Sequence, residues 1–357
     1  MQRNDRLKYK WWITYGLLVV LTVLAMVAVF NYKVDSIGLF HKDKGLLYIA
    51  RSLFEGKMVA GPINYNEGEF QRIIVENSPS PIDMVVVGSS RGMGVRKRFI
   101  RTEKTFFNHS MTAATLEDSM AIIGLYLAKG RLTRTIILCL DPWMFKEKNN
   151  LTKWQSIVPY YKKILVEIYG KDIGINLNRR SKYQELINLE YTLANLKGVK
   201  KKKSKKLYIT KTMEVDDFVR EPDGSIHFPH GTRRERIEGT QPLAQLGVRG
   251  LEHYSKDFYA ILNQRLFEDF VIYLRNQGSE VILCLTPFEP IAYEKIKEKY
   301  YIVIEIENYL RHFASAQNIL IVGSYDPQKY NFLSSDFFDY LHGDEIVAKR
   351  IFEGSQL

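Results

Sequence analysis

The chain contains little that would bind a metal or a nucleic acid. It has two cysteines in 357 residues, Cys139 and Cys284, and each lies between leucines, where a cysteine usually packs as a small buried side chain. No cysteine and histidine stand at the spacing of a zinc site. Internal repeats and nucleic-acid-binding motifs are also absent from the sequence. We therefore expect no metal, no cofactor and no nucleic-acid partner.

Negative charge is in deficit, because 40 Asp and Glu against 51 Lys and Arg give a net charge of +11. Such a surplus suits an anionic partner, and much of it lies near the N-terminus and in residues 200–206. Without a nucleic-acid motif, we expect an anionic surface such as lipid or an acidic polymer. A lysine run of this kind is most often a solvated loop and less often a contact for head groups or polymer.

An uncharged stretch follows a basic start. Residues 11–30 carry no charge and are long enough to cross a bilayer as a helix. The positive-inside rule then makes residues 1–10 a cytoplasmic tail and leaves the rest of the chain outside the cytoplasm. A cleaved signal peptide is the alternative, but the apolar run is long and no small-residue cleavage site follows it. We predict a single-pass signal anchor in the cytoplasmic membrane with an extracytoplasmic C-terminal domain.

Short apolar runs alternate with helical patterns in the remaining sequence. Five runs predict buried strands at residues 82–87, 106–108, 135–140, 280–285 and 318–322. The alternation predicts an α/β fold, a three-layer α/β/α sandwich with a five-stranded parallel sheet, preceded by the transmembrane helix at 11–30. We interpret residues 31–81 as a connector with one or two helices and 82–357 as the domain. The alternation of strands and helices stops at about 144–251. We interpret this segment as a mostly helical insertion with a hairpin tip at 221–225.

Residues 88–94, Gly-Ser-Ser-Arg-Gly-Met-Gly, admit two incompatible interpretations. They follow the first predicted strand, at the sheet edge where α/β proteins bind ligands. In one interpretation the three glycines form the phosphate-binding turn of a short-chain dehydrogenase, and residues 293–297 supply its Tyr-x-x-x-Lys. However, that turn opens a full apolar helix, whereas residues 95–104 are short and basic. In the other interpretation Ser90 is a nucleophile displayed at the strand end.

A nucleophilic serine needs a base to take its proton and a third group to orient that base. Asp339 and His342 stand three residues apart after the last predicted strand. Loops after the first and fifth parallel strands open at the same edge of a sheet, so both side chains can converge on Ser90. Taken alone, Asp339 would be a solvated turn residue and His342 a helix cap. Taken with Ser90, they predict a Ser-His-Asp triad.

These residues resemble the SGNH, or GDSL-like, hydrolases over about residues 83–352, apart from the insertion. The nucleophile block of the family, Gly-Asp-Ser, reads here Gly-Ser-Ser and ends at Ser90. The Asp-x-x-His block of the family reads here Asp339 to His342. Membrane-anchored relatives in cell-envelope polysaccharide O-acetylation and teichoic-acid D-alanylation have similar openings.

Two further blocks of the family match less well. The second maps to residues 108–110, where Asn108 precedes Ser110 and Ser110 stands at the place of the oxyanion-binding glycine. The third, Gly-x-Asn-Asp, maps to residues 140–143, where Asp141 is the acidic residue and the oxyanion asparagine has no clear counterpart. The resemblance implies that the N–H groups of Ser90 and Ser110 bind the oxyanion, and that Asn108 and Asp141 lie at the oxyanion or substrate site.

The resemblance implies an extracytoplasmic serine esterase or O-acyltransferase that acts on a cell-envelope carbohydrate. Its partners would be membrane lipid, a polysaccharide or other acyl acceptor, and a membrane acyl-donor protein. Because the second and third blocks depart from the family pattern, a non-catalytic scaffold of a polysaccharide assembly complex stays open as an alternative. The dehydrogenase remains a third.

Overall fold

The computed structural model describes residues 3–35, 40, 43–63, 65–146, 153–172, 174–175, 182–200, 207–232 and 261–353. These residues form a mixed α/β protein with one long N-terminal helix. The lysine-rich residues 201–206 and the predicted end of the insertion, 233–251, lie outside this part of the chain. So do residues 253–260, where we expected the start of a long helix.

The described residues form eleven α-helices and nine strands, numbered here in chain order. The helices are α1 Arg3–Val34, α2 Asp43–Phe54, α3 Glu67–Asn77, α4 Lys97–Ile100, α5 Leu116–Ala128, α6 Val158–Tyr169, α7 Leu189–Lys200, α8 Ile261–Asn276, α9 Pro290–Lys299, α10 Ile302–Ala316 and α11 Glu345–Glu353. The strands are β1 Met58–Gly61, β2 Met84–Gly88, β3 Phe106–Asn108, β4 Thr135–Cys139, β5 Tyr208–Thr210, β6 Phe218–Arg220, β7 Ile226–His227, β8 Glu280–Leu285 and β9 Leu320–Gly323.

Five strands form one parallel sheet in the order β3-β2-β4-β8-β9. The predicted five-stranded parallel sheet is therefore confirmed. From β2 the chain moves outward to β3 on one side and then crosses to β4 on the other. In an open parallel sheet, such a reversal leaves a crevice at the carboxyl ends of the two central strands, where ligands bind. The residues that follow β2 lie at this crevice.

Both faces of the parallel sheet are buried. Successive side chains of a strand point to opposite faces, so Val85 and Val87 join one core cluster while Met84 and Val86 join another. The first cluster includes side chains of α2, α3, α5, α6, α8 and α10. The second includes side chains of α4 and α11. This burial on both sides explains why β2 is a continuous apolar run without polar alternation.

Gly88 allows β2 to end close against β4. A Cβ built on Gly88 would lie 2.6 Å from both the Cβ and the carbonyl oxygen of Cys139, and the φ angle of Gly88 is +157°. Any side chain at Gly88 would therefore push the two strands apart. Ser90, two residues further on, consequently stands at the rim of the crevice.

A second, antiparallel sheet joins the predicted connector to the predicted insertion. Its order is β5-β1-β6-β7, with β1 from residues 31–81 and the others from residues 144–251. We expected helices in both segments, and α2, α3, α6 and α7 are present there. The four strands were not predicted, except that the hairpin tip at 221–225 does join β6 to β7. Each strand has two to four residues, too few for a periodic pattern.

The long N-terminal helix α1 stands apart from the protein core. Its apolar segment, Tyr9–Val34, has a mean hydropathy of 2.5, and none of its most apolar window is buried. A helix of this length and composition is compatible with a single-pass membrane anchor or with a signal sequence.

Candidate active site

Ser90 opens a 3-10 turn, Ser90–Gly92, directly after β2. Its neighbour Ser89 is fully buried and caps this turn, because its hydroxyl accepts a hydrogen bond from the Arg91 N–H at 3.2 Å. Ser90 is half-buried and lines a cleft. Of the two adjacent serines, Ser90 is therefore the one whose hydroxyl is available for chemistry.

A tight turn holds Asp339 and His342 after β9. The carboxylate of Asp339 accepts hydrogen bonds from the N–H groups of Leu341 and His342, both at 2.8 Å. The Phe338 N–H donates to the His342 carbonyl oxygen at 2.6 Å and closes the turn. An aspartate that binds N–H groups two and three residues further on stabilises such a turn locally. The three-residue spacing thus brings both side chains to one spot, as the sequence predicts.

The structure brings Ser90, His342 and Asp339 together although Ser90 and His342 are 252 residues apart. The Ser90 Oγ lies 2.7 Å from His342 Nε2, and His342 Nδ1 lies 2.8 Å from Asp339 Oδ2. An ionised carboxylate only accepts hydrogen bonds, so the proton of a neutral imidazole stands on Nδ1. Nε2 is then the acceptor for the Ser90 hydroxyl. This is the hydrogen-bond order that a serine nucleophile and its general base require.

Asp339 is suited to stay ionised. Burial alone would raise the pKa of its carboxyl, but the hydrogen bond from His342, and the positive charge of that ring when it is protonated, hold the pKa below the ordinary 3.8. The N–H groups of Leu341 and His342 act in the same direction. A lowered pKa in the folded state stabilises the fold at all pH values above 3.8, and this contribution is lost only as the pH falls through the lower folded value.

The predicted oxyanion donors are only partly open. The N–H groups of Arg91, Gly92 and Met93 are used within the turn, whereas the Ser90 N–H donates to none of the described residues. The Ser110 N–H instead donates to the Asn108 side-chain oxygen at 2.9 Å. In this arrangement Ser110 therefore does not offer the free donor that we expected.

Asn108 supports the loop after Ser90. Its side-chain amide donates to the carbonyl oxygens of Gly92 and Val95, each at 2.8 Å. Asn108 and Ser110 are each 1% exposed, so neither side chain is at the surface of the cleft. We predicted Asn108 at the oxyanion or substrate site. The structure instead places its side chain beneath the loop that follows Ser90, away from the surface of the cleft.

Asp141 forms a buried ion pair with Arg91, the residue that follows Ser90. Arg91 Nη1 lies 2.9 Å from Asp141 Oδ1, and both side chains are 1% exposed. Arg91 also donates to the carbonyl of Thr286 and stacks on the ring of Phe288 at 4.1 Å. Burial raises the pKa of Asp141, and the charge of Arg91 opposes that rise. Asp141, which we expected near the oxyanion or substrate, is thus a partner of the residue that follows Ser90.

We expect replacement of Arg91 by Met to lower the free energy of unfolding by about 3–5 kcal/mol, because it leaves the buried Asp141 carboxylate without its cationic partner. Urea denaturation monitored by circular dichroism would measure this. The deficit should shrink at low pH, where protonation relieves the lone carboxylate. The double variant Arg91→Met/Asp141→Leu is the control and should recover part of the loss. An unchanged unfolding midpoint in the single variant would contradict the proposed importance of this pair.

The predicted insertion contributes one wall of the site. Phe228, directly after β7, packs its ring 5.3 Å from the His342 ring and 5.0 Å from that of Phe338. These three side chains line the cleft beside Ser90. Nothing in the sequence of the insertion singled out Phe228, because its partners lie more than one hundred residues further along the chain.

Buried contacts hold the β6–β7 hairpin against the residues that follow Ser90. Its tip glycine, Gly224, has φ +83°, and a Cβ there would lie 2.5 Å from the Asn108 carbonyl oxygen. Arg96, 2% exposed, lies 2.8 Å from Glu221 Oε1 and 2.8 Å from His227 Nδ1. Burial alone would raise the pKa of Glu221, but its hydrogen bond with His227 and the charge of Arg96 lower it. The hairpin is thus a fixed part of the cleft.

The glycine-rich stretch does not form a phosphate-binding turn. It folds as a 3-10 turn, and the next helix, α4, has four residues and no side-chain cap. A dinucleotide site needs the N-terminus of a full helix directed at the pyrophosphate. Tyr293 and Lys297 lie on α9, after β8. Across the described ranges, no three His, Cys, Asp or Glu side chains converge to hold a metal ion.

Comparison of the sequence with protein-family models and with curated proteins gave no match.

Proposed function

We propose that this protein is a serine esterase or O-acyltransferase with a Ser90-His342-Asp339 triad. The observation that carries the proposal is the continuous hydrogen-bond chain from the Ser90 hydroxyl through both ring nitrogens of His342 to the Asp339 carboxylate. Its position at the reversal of strand order supports the same conclusion. The two core clusters on opposite faces of the sheet support the three-layer α/β/α sandwich of the SGNH type.

The geometry suits acyl transfer in two steps. Ser90 Oγ attacks an ester carbonyl while His342 Nε2 takes the hydroxyl proton, and Asp339 stabilises the imidazolium that forms. The tetrahedral intermediate collapses, the ester C–O bond breaks, and His342 returns the proton to the leaving alcohol. The acyl group is then held on Ser90. A second hydroxyl, from an acceptor or from water, then attacks the acyl carbonyl while His342 takes its proton. The acyl group leaves Ser90, and His342 returns the proton to Ser90 Oγ.

Stabilisation of the oxyanion is the incomplete part of the site. The Ser90 N–H is available, and a second donor of this kind contributes a few kcal/mol to lowering the barrier. The Ser110 N–H can become that donor only when its hydrogen bond to the Asn108 side-chain oxygen is broken.

The acceptor that we propose is a carbohydrate of the cell envelope. The basic N-terminus before an apolar helix supports an anchor in the cytoplasmic membrane with the domain outside it. Activated cofactors are scarce there, so an acyl donor in the membrane, such as an acyl-donor protein, suits the transferase. The resemblance to SGNH proteins of polysaccharide modification points the same way.

One observation favours a second candidate, a non-catalytic scaffold of a polysaccharide assembly complex. The Ser110 N–H is occupied and Asp141 is paired with Arg91, so two of the predicted substrate groups are unavailable. A scaffold would keep the fold and bind polysaccharide without an activated serine. Turnover of an aryl acetate by the purified full chain distinguishes the two. Hydrolysis, or transfer of the acetyl group to added oligosaccharide, supports the enzyme, whereas polysaccharide binding without turnover supports the scaffold.

We expect a reporter fused after Leu357 to be active only if it functions outside the cytoplasm, because the basic residues precede the apolar helix. Paired fusions to an extracytoplasmic and a cytoplasmic reporter would measure this. The mass of the intact membrane protein should still include residues 1–30, as a retained anchor requires. Activity of the cytoplasmic reporter would contradict the topology, and loss of the N-terminus would indicate a cleaved signal sequence.

A further inference from the structure

The end of α1 is fixed to the insertion by buried hydrogen bonds. Asn31, the first residue after the uncharged run 11–30, is 0% exposed. Its side-chain amide donates to the Leu186 carbonyl at 2.8 Å and to the Thr192 hydroxyl at 2.7 Å. Its side-chain oxygen accepts from Asn195 at 3.0 Å. The helix that carries the apolar run is therefore docked on the protein at the residue where that run ends.

This contact determines the depth of α7 and of the 3-10 turn Lys182–Ile187 that precedes it. When residues 11–30 span the hydrocarbon core, Asn31 lies at its boundary with the head groups. Segments hydrogen-bonded to Asn31 then lie at the same level. A further bond from the Tyr191 hydroxyl to Asp35, at 2.6 Å, holds α7 in place.

The side of α7 that faces away from α1 is apolar. Leu189, Leu193 and Leu196 are 72%, 47% and 42% exposed, and their spacing of four and three residues places them on one face of the helix. Tyr191 and Asn195, on the opposite face, are 5% and 0% exposed. Isolated exposed leucines are common, but a continuous stripe of them indicates an interaction surface.

Aromatic side chains extend the stripe toward α1. Tyr183 is 64% exposed and Tyr32 is 48% exposed, and the ring of Phe40 lies 6.2 Å and 5.6 Å from theirs. Exposed tyrosines beside an apolar helix end are typical of the interfacial region of a bilayer. We call the exposed apolar set the collar: Tyr32, Tyr183, Ile187, Leu189, Leu193 and Leu196.

We propose that the collar lies in the head-group region of a lipid bilayer, as a second membrane contact beside α1. The sequence continues from α7 into residues 200–206, six of which are lysines and suit anionic lipid. An amphipathic helix in this position buries its apolar face about 5–10 Å into the boundary between the head groups and the acyl chains. The proposal rests on α1 spanning the membrane, and it does not depend on the serine chemistry.

The test uses the full chain in vesicles of phosphatidylcholine and phosphatidylglycerol, with no other protein present. Single variants Leu189→Cys and Leu193→Cys carry an environment-sensitive fluorophore. Some lipids carry a nitroxide quencher, placed near the top of the acyl chain to test the collar and near its end to test Val20. Glu190→Cys, on the flank of the same helix, is the matched control, and Val20→Cys reports insertion of α1. The native Cys139 and Cys284 are buried, so labelled wild-type protein gives the background.

We expect quenching at Leu189 and Leu193 to exceed that at Glu190 severalfold. Quenching at Val20 with none at Leu189 and Leu193 would overturn the collar while leaving the anchor intact. Protection of the two leucines only after addition of a membrane protein would assign the surface to that protein and would also overturn the proposal. Absence of quenching at Val20 would remove both the anchor and the collar. Fluorophosphonate labelling of the same samples separately reports the serine chemistry.

Discussion

Replacing Ser90 by Ala should lower the turnover of a simple aryl acetate by on the order of 10⁴-fold or more, to the rate that binding alone provides. The reason is that the variant has no side-chain oxygen to carry the acyl group, while its folded structure should be unchanged. Ser90 contributes a half-buried hydroxyl at the rim of the crevice. Steady-state kinetics on the purified full chain, with circular dichroism to verify folding, would measure the effect.

Ser89→Ala is the matched control for Ser90→Ala. Ser89 is fully buried and caps the 3-10 turn, so its loss should lower stability by about 1 kcal/mol and leave most of the activity. Equal losses of activity at Ser89 and Ser90, with both variants folded, would show that Ser90 is not the nucleophile.

Replacing His342 by Ala should reduce activity nearly as much as replacing Ser90, because without the base the hydroxyl keeps its proton. Asp339→Ala should reduce activity less, since it removes only the group that orients and stabilises the imidazole. Ser90→Ala/His342→Ala should be no slower than either single variant, because residues that act as one unit are not additive. Kinetics of the four variants under identical conditions would measure this.

His312→Ala is the control for loss of a histidine. His312 lies on α10, is exposed, and its ring bonds to the Asn308 carbonyl of its own helix, so the variant should keep full activity. Losses that multiply in the Ser90/His342 double variant would contradict a shared mechanism. So would a His342→Ala variant that keeps wild-type turnover.

The parallel sheet could be predicted because each of its strands is buried on both faces. A strand such as β2 then has to be apolar at every position, and Met84 to Val87 stand out in the sequence without any partner being known. The capping box at Thr115 and Asp118 likewise marks the start of α5 from four residues alone, and the structure contains both of its hydrogen bonds. Signals of this kind are local, so sequence alone suffices.

The antiparallel sheet and the support of the site could not be predicted in the same way. β1 pairs with β5 and β6, about 150 residues further along the chain, and its four residues carry no periodic pattern. Arg91 stands within the glycine-rich stretch, where a charge looks solvent-exposed. Only the fold brings Asp141 and Phe288 to it. The use of the Ser110 N–H by Asn108 depends on one side-chain rotamer, for which the sequence contains no signal.

The proposed triad lies between these two cases. Asp339 and His342 are three residues apart, so their convergence follows from local geometry, whereas their meeting with Ser90 required the topology of the parallel sheet. Parallel strands bring their carboxyl ends to one edge of the sheet, and that rule was enough to predict that Ser90 and His342 lie near each other. The rule does not give the distance between their side chains, which is 2.7 Å.

The central claim is that Ser90 is an activated nucleophile. A fluorophosphonate reacts only with a serine whose hydroxyl is activated and whose oxyanion is stabilised, so we would treat the folded full chain with one and locate the adduct by peptide mass spectrometry. We predict a single adduct on Ser90, which disappears when the protein is unfolded before treatment and in the His342→Ala variant. A folded wild-type chain that forms no adduct, or forms it on another serine, would contradict the account.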